Sequence, residues 1–191
     1  YTVILTGKDI SGRAVKSKPV SFKTKPRIVS KGSDSYWLSV KGKYIVDASG
    51  KPFPLGGYSS FPGEVWFDQI PRYGTHALAA RYFRNMGLNS CRLGLSNVLP
   101  NHWSAGIERE GKLFDRFGGP EGYVKKYVRS MVDQITGEGI YVIIDWHWTY
   151  GMTHEFVEQI GQFWEAAAKE FRDEPKVAVF QLLNEPSFRE E

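Results

Sequence analysis

Hydrophobic and polar positions change rhythm twice along the chain. Over residues 1–26 they alternate: Val3 and Leu5 precede the turn-rich Gly7–Gly12, and Pro19-Val20-Ser21-Phe22-Lys23-Thr24 follows. A period of two predicts two strands. Two strands cannot cover their own apolar face, so they are expected to close a larger β structure that begins upstream. Residues 27–36 are mostly serine, glycine and charged residues and read as a linker. Residues 37–52 predict a small hairpin. Leu38-Ser39-Val40 and Tyr44-Ile45-Val46 flank Lys41-Gly42-Lys43, and Asp47-Ala48-Ser49-Gly50 makes a second turn.

From Leu55 the rhythm becomes strand, helix, strand. Leu55-Gly56-Gly57-Tyr58 predicts a short strand. Thr75 caps a helix whose apolar stripe is Leu78, Tyr82 and Met86 and which stops at Gly87. Cys91–Leu95 is a second strand. Tyr123, Val124, Tyr127, Val128, Met131, Val132 and Ile135 recur at three- and four-residue spacing, and Gly137 and Gly139 close that helix. Tyr141-Val142-Ile143-Ile144 is a buried strand. Thr153 caps a third helix carrying Phe156, Ile160, Phe163, Trp164, Ala167 and Phe171; Pro175 ends helical structure, and Val177–Leu183 is a fourth strand. Alternating strands and helices predict an α/β fold with a parallel sheet and right-handed crossovers. A flavodoxin-like open sheet and the N-terminal half of a (β/α)₈ TIM barrel both fit. A whole barrel takes about 250 residues, so a barrel here would be cut in half.

Composition removes several classes. Of 191 residues 41% are hydrophobic and 24% charged, which excludes disorder as the main state, and the single cysteine, Cys91, excludes a disulfide scaffold. The longest apolar stretches are far too short to span a bilayer, so no membrane partner is expected. The net charge of +4 is divided, with 11 Lys/Arg against 3 Asp/Glu in residues 1–51 and 14 against 18 in the remainder. With no zinc-knuckle spacing, stacking motif or basic helix, the basic stretch reads as solvated strand faces, and no nucleic acid partner is expected. Tyr1 is not an initiator methionine and no signal peptide precedes it, so the chain is expected to begin partway through a gene product.

In either architecture chemistry gathers at the carboxyl ends of the strands. The polar residues there are Arg92, the same-side pair Asp145 and His147, and Asn184-Glu185-Pro186. Each has a plain reading: Arg92 pairs with a core acid, Asp145 and His147 satisfy each other, and Asn-Glu-Pro is a turn. Their shared placement is what points to a site. As metal ligands Asp145 and His147 fall short of the three that a catalytic zinc takes. No glycine-rich phosphate loop opens a helix. Neither a metal nor a cofactor is expected.

Four motifs now matter in order: Leu55-Gly56-Gly57, NSCRLGL with Arg92, YVIIDWHW with His147, and VAVFQLLNEP with Glu185. Over residues 37–186 they resemble glycoside hydrolase family 5, of the cellulase-type clan. Residues 1–26 resemble the last two strands of a fibronectin type III-like sandwich. The resemblance implies three parts: sandwich strands at 1–26, a linker at 27–36, and the first half of a (β/α)₈ hydrolase barrel at 37–191. It implies that Glu185 is the acid/base carboxyl and that Asn184 binds the sugar 2-hydroxyl. Arg92 would steady the nucleophile carboxylate, and His147 would line the same subsite. The family's nucleophile glutamate comes near the end of strand seven, which places it beyond residue 191.

The implied protein is a retaining, endo-acting β-glycosidase, with this fragment inactive until the missing C-terminal half barrel is supplied. Its substrate would be β-linked polysaccharide, β-glucan or cellulose first and mannan or xylan next. It would be secreted, since such a substrate cannot enter a cell. The residue types suit that chemistry. Glycoside cleavage takes a carboxyl that protonates the leaving oxygen and a second carboxylate on the other side of the anomeric carbon. A non-catalytic carbohydrate-binding or scaffolding fragment is the alternative. Aromatic residues make up 15% of the chain; Trp148 and Trp103 suit sugar platforms or loop packing. Trp146 is expected to face the helices and Trp164 the core. A half barrel leaves two sheet edges open, and self-association is expected from it.

Overall fold

The computed structural model describes residues 2–3, 6–8, 13–16, 20–21, 36–60, 75–97, 113–147 and 154–185. The N-terminal alternation forms β1 (Thr2–Val3), β2 (Thr6–Lys8), β3 (Ala14–Lys16) and β4 (Val20–Ser21). β1 pairs with β4 and β2 with β3, both antiparallel, as in one long hairpin. Strand β3 lies against the long helix near the other end of the chain. The expected linker, apart from Tyr36, falls outside the described residues. A second hairpin, β5 (Ser39–Lys41) with β6 (Tyr44–Val46), matches the predicted one with its first strand displaced by a residue.

The main sheet contains β7 (Gly57–Ser60), β8 (Ser90–Leu95), β9 (Tyr141–Trp146) and β10 (Val177–Gln181), all parallel and hydrogen-bonded in sequence order. Each new strand is added on the same side, and with right-handed crossovers this keeps the helices on one face. A doubly wound sheet reverses direction and covers both faces. The observed order is therefore that of a partial (β/α) barrel. Alternation then sorts the side chains. Cys91, Leu93, Leu95, Val142, Ile144 and Trp146 are buried against the helices, while Arg92, Ile143 and the strand-end polar groups take the other face.

Helix α1 is His76–Asn85, α2 is Leu113–Phe117, and α4 is His154–Phe171. Between them α3 runs continuously through Pro120–Gly122, a π-helical stretch Tyr123–Val128, and Arg129–Gly137. The π-helical turns have a cause in the sequence. Tyr123, Tyr127, Met131 and Ile135, and beside them Val124, Val128, Val132 and Thr136, are all buried at a strict four-residue repeat. In an α-helix of 3.6 residues per turn such a repeat drifts by about 40° every step. Wider turns, seen in the bond from Arg129 N–H to the Val124 carbonyl, take back part of that drift and keep the stripe on the sheet. Phe163 of α4 and Phe114 of α2 pack on Trp146, with ring centroids 4.8 and 5.9 Å away, so Trp146 faces the helices as expected. Trp164 is buried as expected.

Thr75 caps α1 as predicted, its hydroxyl accepting the Leu78 N–H. The buried face differs from the predicted one. Leu78, Tyr82 and Met86 are all more than half exposed, and the helix instead buries His76 and Ala80. Arg81 donates to the Glu138 carboxylate at 2.6 Å and Arg84 to its carbonyl at 2.9 Å, which ties α1 to the end of α3. Alanine on the inner side allows that close approach. Helix α2 was not among the predicted elements. Its Phe114 N–H donates to Asn97 Oδ1 at 2.7 Å, tying α2 to a residue just past the end of β8.

Beneath the sheet, the β5–β6 hairpin covers the amino end. Tyr141 Oη donates to the Tyr36 carbonyl at 2.8 Å, and Phe53 meets the Tyr141 ring edge-on at 5.3 Å. The glycine pair that opens the sheet is asymmetric. A Cβ on Gly57 would overlap the Ser90 carbonyl oxygen and hydroxyl on the adjacent strand, whereas one on Gly56 would meet nothing within 4 Å. The Ser90 backbone cannot yield without breaking the ladder. Gly57→Ala is therefore expected to destabilise by about 1–3 kcal/mol. Gly56→Ala should stay within about 0.5 kcal/mol of the parent. Urea unfolding of the two variants checks this, and equal effects would refute the close-approach account.

Candidate active site

Two backbone bonds, one side-chain bond and the strand register bring the polar residues together. His147 N–H donates to the Leu95 carbonyl at 2.8 Å and Asn184 N–H to the Trp146 carbonyl at 2.9 Å, so pairing continues past the ends of β8, β9 and β10. Trp164 Nε1 donates to the Leu182 carbonyl at 3.1 Å and fixes the exit of β10 to α4. Across the sheet Gln181 stands opposite Asp145, and Asp145 opposite Gly94. Gly94 follows Arg92 on the same face of β8.

The result is a closed ring of side chains. Arg92 Nη2 lies 3.0 Å from Asp145 Oδ2 and donates to Asn184 Oδ1 at 2.6 Å. His147 Nδ1 is 2.7 Å from the same Asp145 Oδ2, and Asn184 Nδ2 is 3.4 Å from His147 Nε2. Arg92 Nε donates to Gln181 Oε1 at 2.9 Å and so is held from two strands. Asp145 is fully buried. Burial pushes its carboxyl above the usual range, opposed by the His147 hydrogen bond and then by the Arg92 charge.

Three of the predicted site residues, Arg92, His147 and Asn184, thus meet in one network. The fourth, Glu185, follows Asn184 directly and is exposed. It is the only described non-glycine residue with positive φ, at 39°. Such strain in an L-residue costs about 1–2 kcal/mol and gathers at sites where the surrounding structure enforces it. Glu185→Gly is accordingly expected to be about 1 kcal/mol more stable than Glu185→Ala. Equal thermal midpoints for that pair would remove the strain argument. Trp148 and Trp103 lie outside the described residues. Asp145 and His147, weighed as metal ligands, are turned toward each other, with Arg92 on the same carboxylate oxygen. Among the described residues no three or more His, Cys, Asp or Glu side chains group as metal ligands.

One member of the site, Gln181, is passed over in the sequence reading, and a second, Asp145, is grouped there with the strand-end residues but given no role. The available signal was a polar residue inside an otherwise apolar strand, Val177-Ala178-Val179-Phe180-Gln181. A half-buried amide at the end of such a strand calls for a partner, and Arg92 supplies it.

The class of protein follows from the layout: an α/β chain of the barrel type with its polar residues collected at the carboxyl ends of the sheet. The chain belongs to the cellulase family, glycosyl hydrolase family 5, whose family model matches residues 46–191. Endoglucanase A of Butyrivibrio fibrisolvens is 28% identical over 152 residues, which cover 78% of this chain and 32% of that protein. Endoglucanase MaCel5A of Microbulbifer sp. (strain ALW1) is 30% identical over 156 residues, covering 78% and 26%. A beta-xylosidase of Phanerodontia chrysosporium is 27% identical over 200 residues, covering 79% and 40%. Among solved structures, the β-mannanase of Thermomonospora fusca in its mannohexaose complex aligns with a TM-score of 0.51 at 19% identity, covering 81% of this chain and 44% of that one. That likeness is one of fold. The chain spans less than half the length of each of these proteins.

Proposed function

We propose that the chain carries the acid/base half of a retaining, endo-acting β-glycoside hydrolase site. The observation that carries this reading is the ring of Arg92, Asp145, His147 and Asn184, set directly before Glu185 in a chain of the cellulase family. Glu185 is the general acid that protonates the leaving oxygen and later the base that activates water. Asn184 binds the sugar 2-hydroxyl beside the anomeric carbon. Arg92 and His147 line that subsite, and the cationic guanidinium favours an ionised carboxylate nearby. The nucleophile is a glutamate beyond residue 191, on a strand of the second half barrel, about 5–5.5 Å from Glu185 as retention requires.

The substrate is a β-linked polysaccharide, with β-glucan or cellulose first and mannan or xylan next. The names of the relatives support that order. Trp148 and Trp103 are aromatic platforms for sugar rings. Residues 1–26 are the end of a fibronectin type III-like sandwich, 27–36 a linker and 37–191 the hydrolase portion, in a secreted protein.

The test is an assay of two proteins. The 191-residue chain alone is expected to release no reducing sugar from β-glucan, mannan or xylan. The gene product extended through further βα units is expected to hydrolyse one of them, and NMR of the first-formed product should show the β-anomer. Initial α-anomer would refute retention. Sugar binding without any turnover in the extended protein would favour a carbohydrate-binding module.

A further inference from the structure

The ring has a direction, and Arg92 sets it. A guanidinium carries only donors, so the Asn184 amide must turn Oδ1 toward Nη2, 2.6 Å away. Its Nδ2 hydrogens then face His147 Nε2 at 3.4 Å. An N–H facing Nε2 needs a lone pair there, which puts the imidazole proton on Nδ1. That proton is donated to Asp145 Oδ2, 2.7 Å away. Reversing any one member sets donor against donor. In water the histidine side chain favours the Nε2–H tautomer, so the arrangement is imposed by its neighbours.

We propose that Asp145 is a positioning residue of this site: one carboxylate oxygen, shared by His147 Nδ1 and Arg92 Nη2, fixes the Nδ1–H tautomer of His147 and through it the orientation of the Asn184 amide. The two oxygens of Asp145 are used very unequally. Oδ2 takes the His147 hydrogen bond and the Arg92 ion pair, while Oδ1, also buried, has no hydrogen-bond partner among the described residues. A carboxylate serving only the fold would have both oxygens satisfied. Here the whole side chain is aimed through one atom at the two groups that flank Asn184. Resting on the hydrolase reading above, the consequence is chemical. With Oδ1 held by Arg92 and one Nδ2 hydrogen directed at His147, Asn184 keeps its second Nδ2 hydrogen for a sugar hydroxyl. Glu185 follows on the same short segment.

The test needs no turnover. Long-range ¹H–¹⁵N NMR of the 191-residue chain distinguishes a protonated ring nitrogen from an unprotonated one, and a His147→Asn variant identifies the His147 signals among the four histidines. The wild-type chain is expected to show Nδ1 protonated and Nε2 unprotonated. Asp145→Ala should move the proton to Nε2 in most molecules, whereas Asp145→Asn, which keeps an acceptor oxygen, should retain the Nδ1–H form. A wild-type His147 protonated on Nε2 overturns the proposal, and that measurement stands even if the alanine variant does not fold. So does a folded Asp145→Ala chain with an unchanged tautomer. Failure of the extended protein to hydrolyse any glycan would instead sink the hydrolase reading and leave this result intact.

Discussion

In the hydrolase proposed above, extended beyond residue 191, Glu185→Gln is expected to lower turnover of an unactivated β-glucan by about 10²–10⁴-fold. The same change should cost far less on an aryl β-glycoside with a good leaving group. Glutamine keeps the size of the side chain and loses the transferable proton. A sugar alkoxide leaves poorly without that proton, and an acidic phenol leaves without help. The second half of the reaction then needs a base that glutamine cannot supply, so the glycosyl-enzyme should accumulate. Azide, a nucleophile that needs no base, should restore turnover of the aryl substrate. Glu185 is exposed, so the substitution should move stability by no more than about 0.5 kcal/mol, and unfolding does not explain the loss. Equal losses on both substrates would remove Glu185 from the acid role.

Much of the architecture is written in short runs. Tyr141-Val142-Ile143-Ile144 is β-branched and apolar, and Pro175 stops helix formation before β10. The four-residue repeat that produces the π-helical turns is visible from Tyr123 to Thr136, yet at that stage it looks like any amphipathic helix. Its strictness was the overlooked signal. In helix α1 apolar size does not track burial. Leu78, Tyr82 and Met86 make the larger stripe, but the helix buries His76 and Ala80, with Arg81 and Arg84 bonded to Glu138 more than fifty residues away. Alternation places Asp145 and His147 on one side. It cannot place Arg92 against them, because that depends on Gly94 standing opposite Asp145. Strand register is a tertiary property, and the ring exists only through it. Two open interpretations of the sheet separated the same way: both architectures have the same elements, and the order of hydrogen-bonded neighbours distinguishes them.

The ring also makes the sheet sensitive to one cation. Arg92→Ala is expected to destabilise the chain by about 3–5 kcal/mol, because it leaves a buried carboxylate without its ion partner. Asp145 would keep only the His147 bond, and Gln181 Oε1 and Asn184 Oδ1 would lose their shared donor. The effect should depend on pH with a definite sign. Burial already raises the Asp145 carboxyl in the native state, and the Arg92 charge is among the forces holding it down. A carboxyl raised on folding binds its proton more tightly in the native state than in the unfolded one. Its favourable contribution is therefore complete at low pH and is lost as pH climbs from the ordinary value through the raised one. Without Arg92 the raised value moves higher and the loss grows. Urea midpoints should show a larger gap between parent and Arg92→Ala at pH 7 than at pH 4. Adding Asp145→Asn to Arg92→Ala should narrow the gap at pH 7, since no buried charge then remains to be satisfied. A gap that is the same at both pH values, or a double variant less stable than Arg92→Ala alone, would mean that the guanidinium supports the sheet by packing and not by charge.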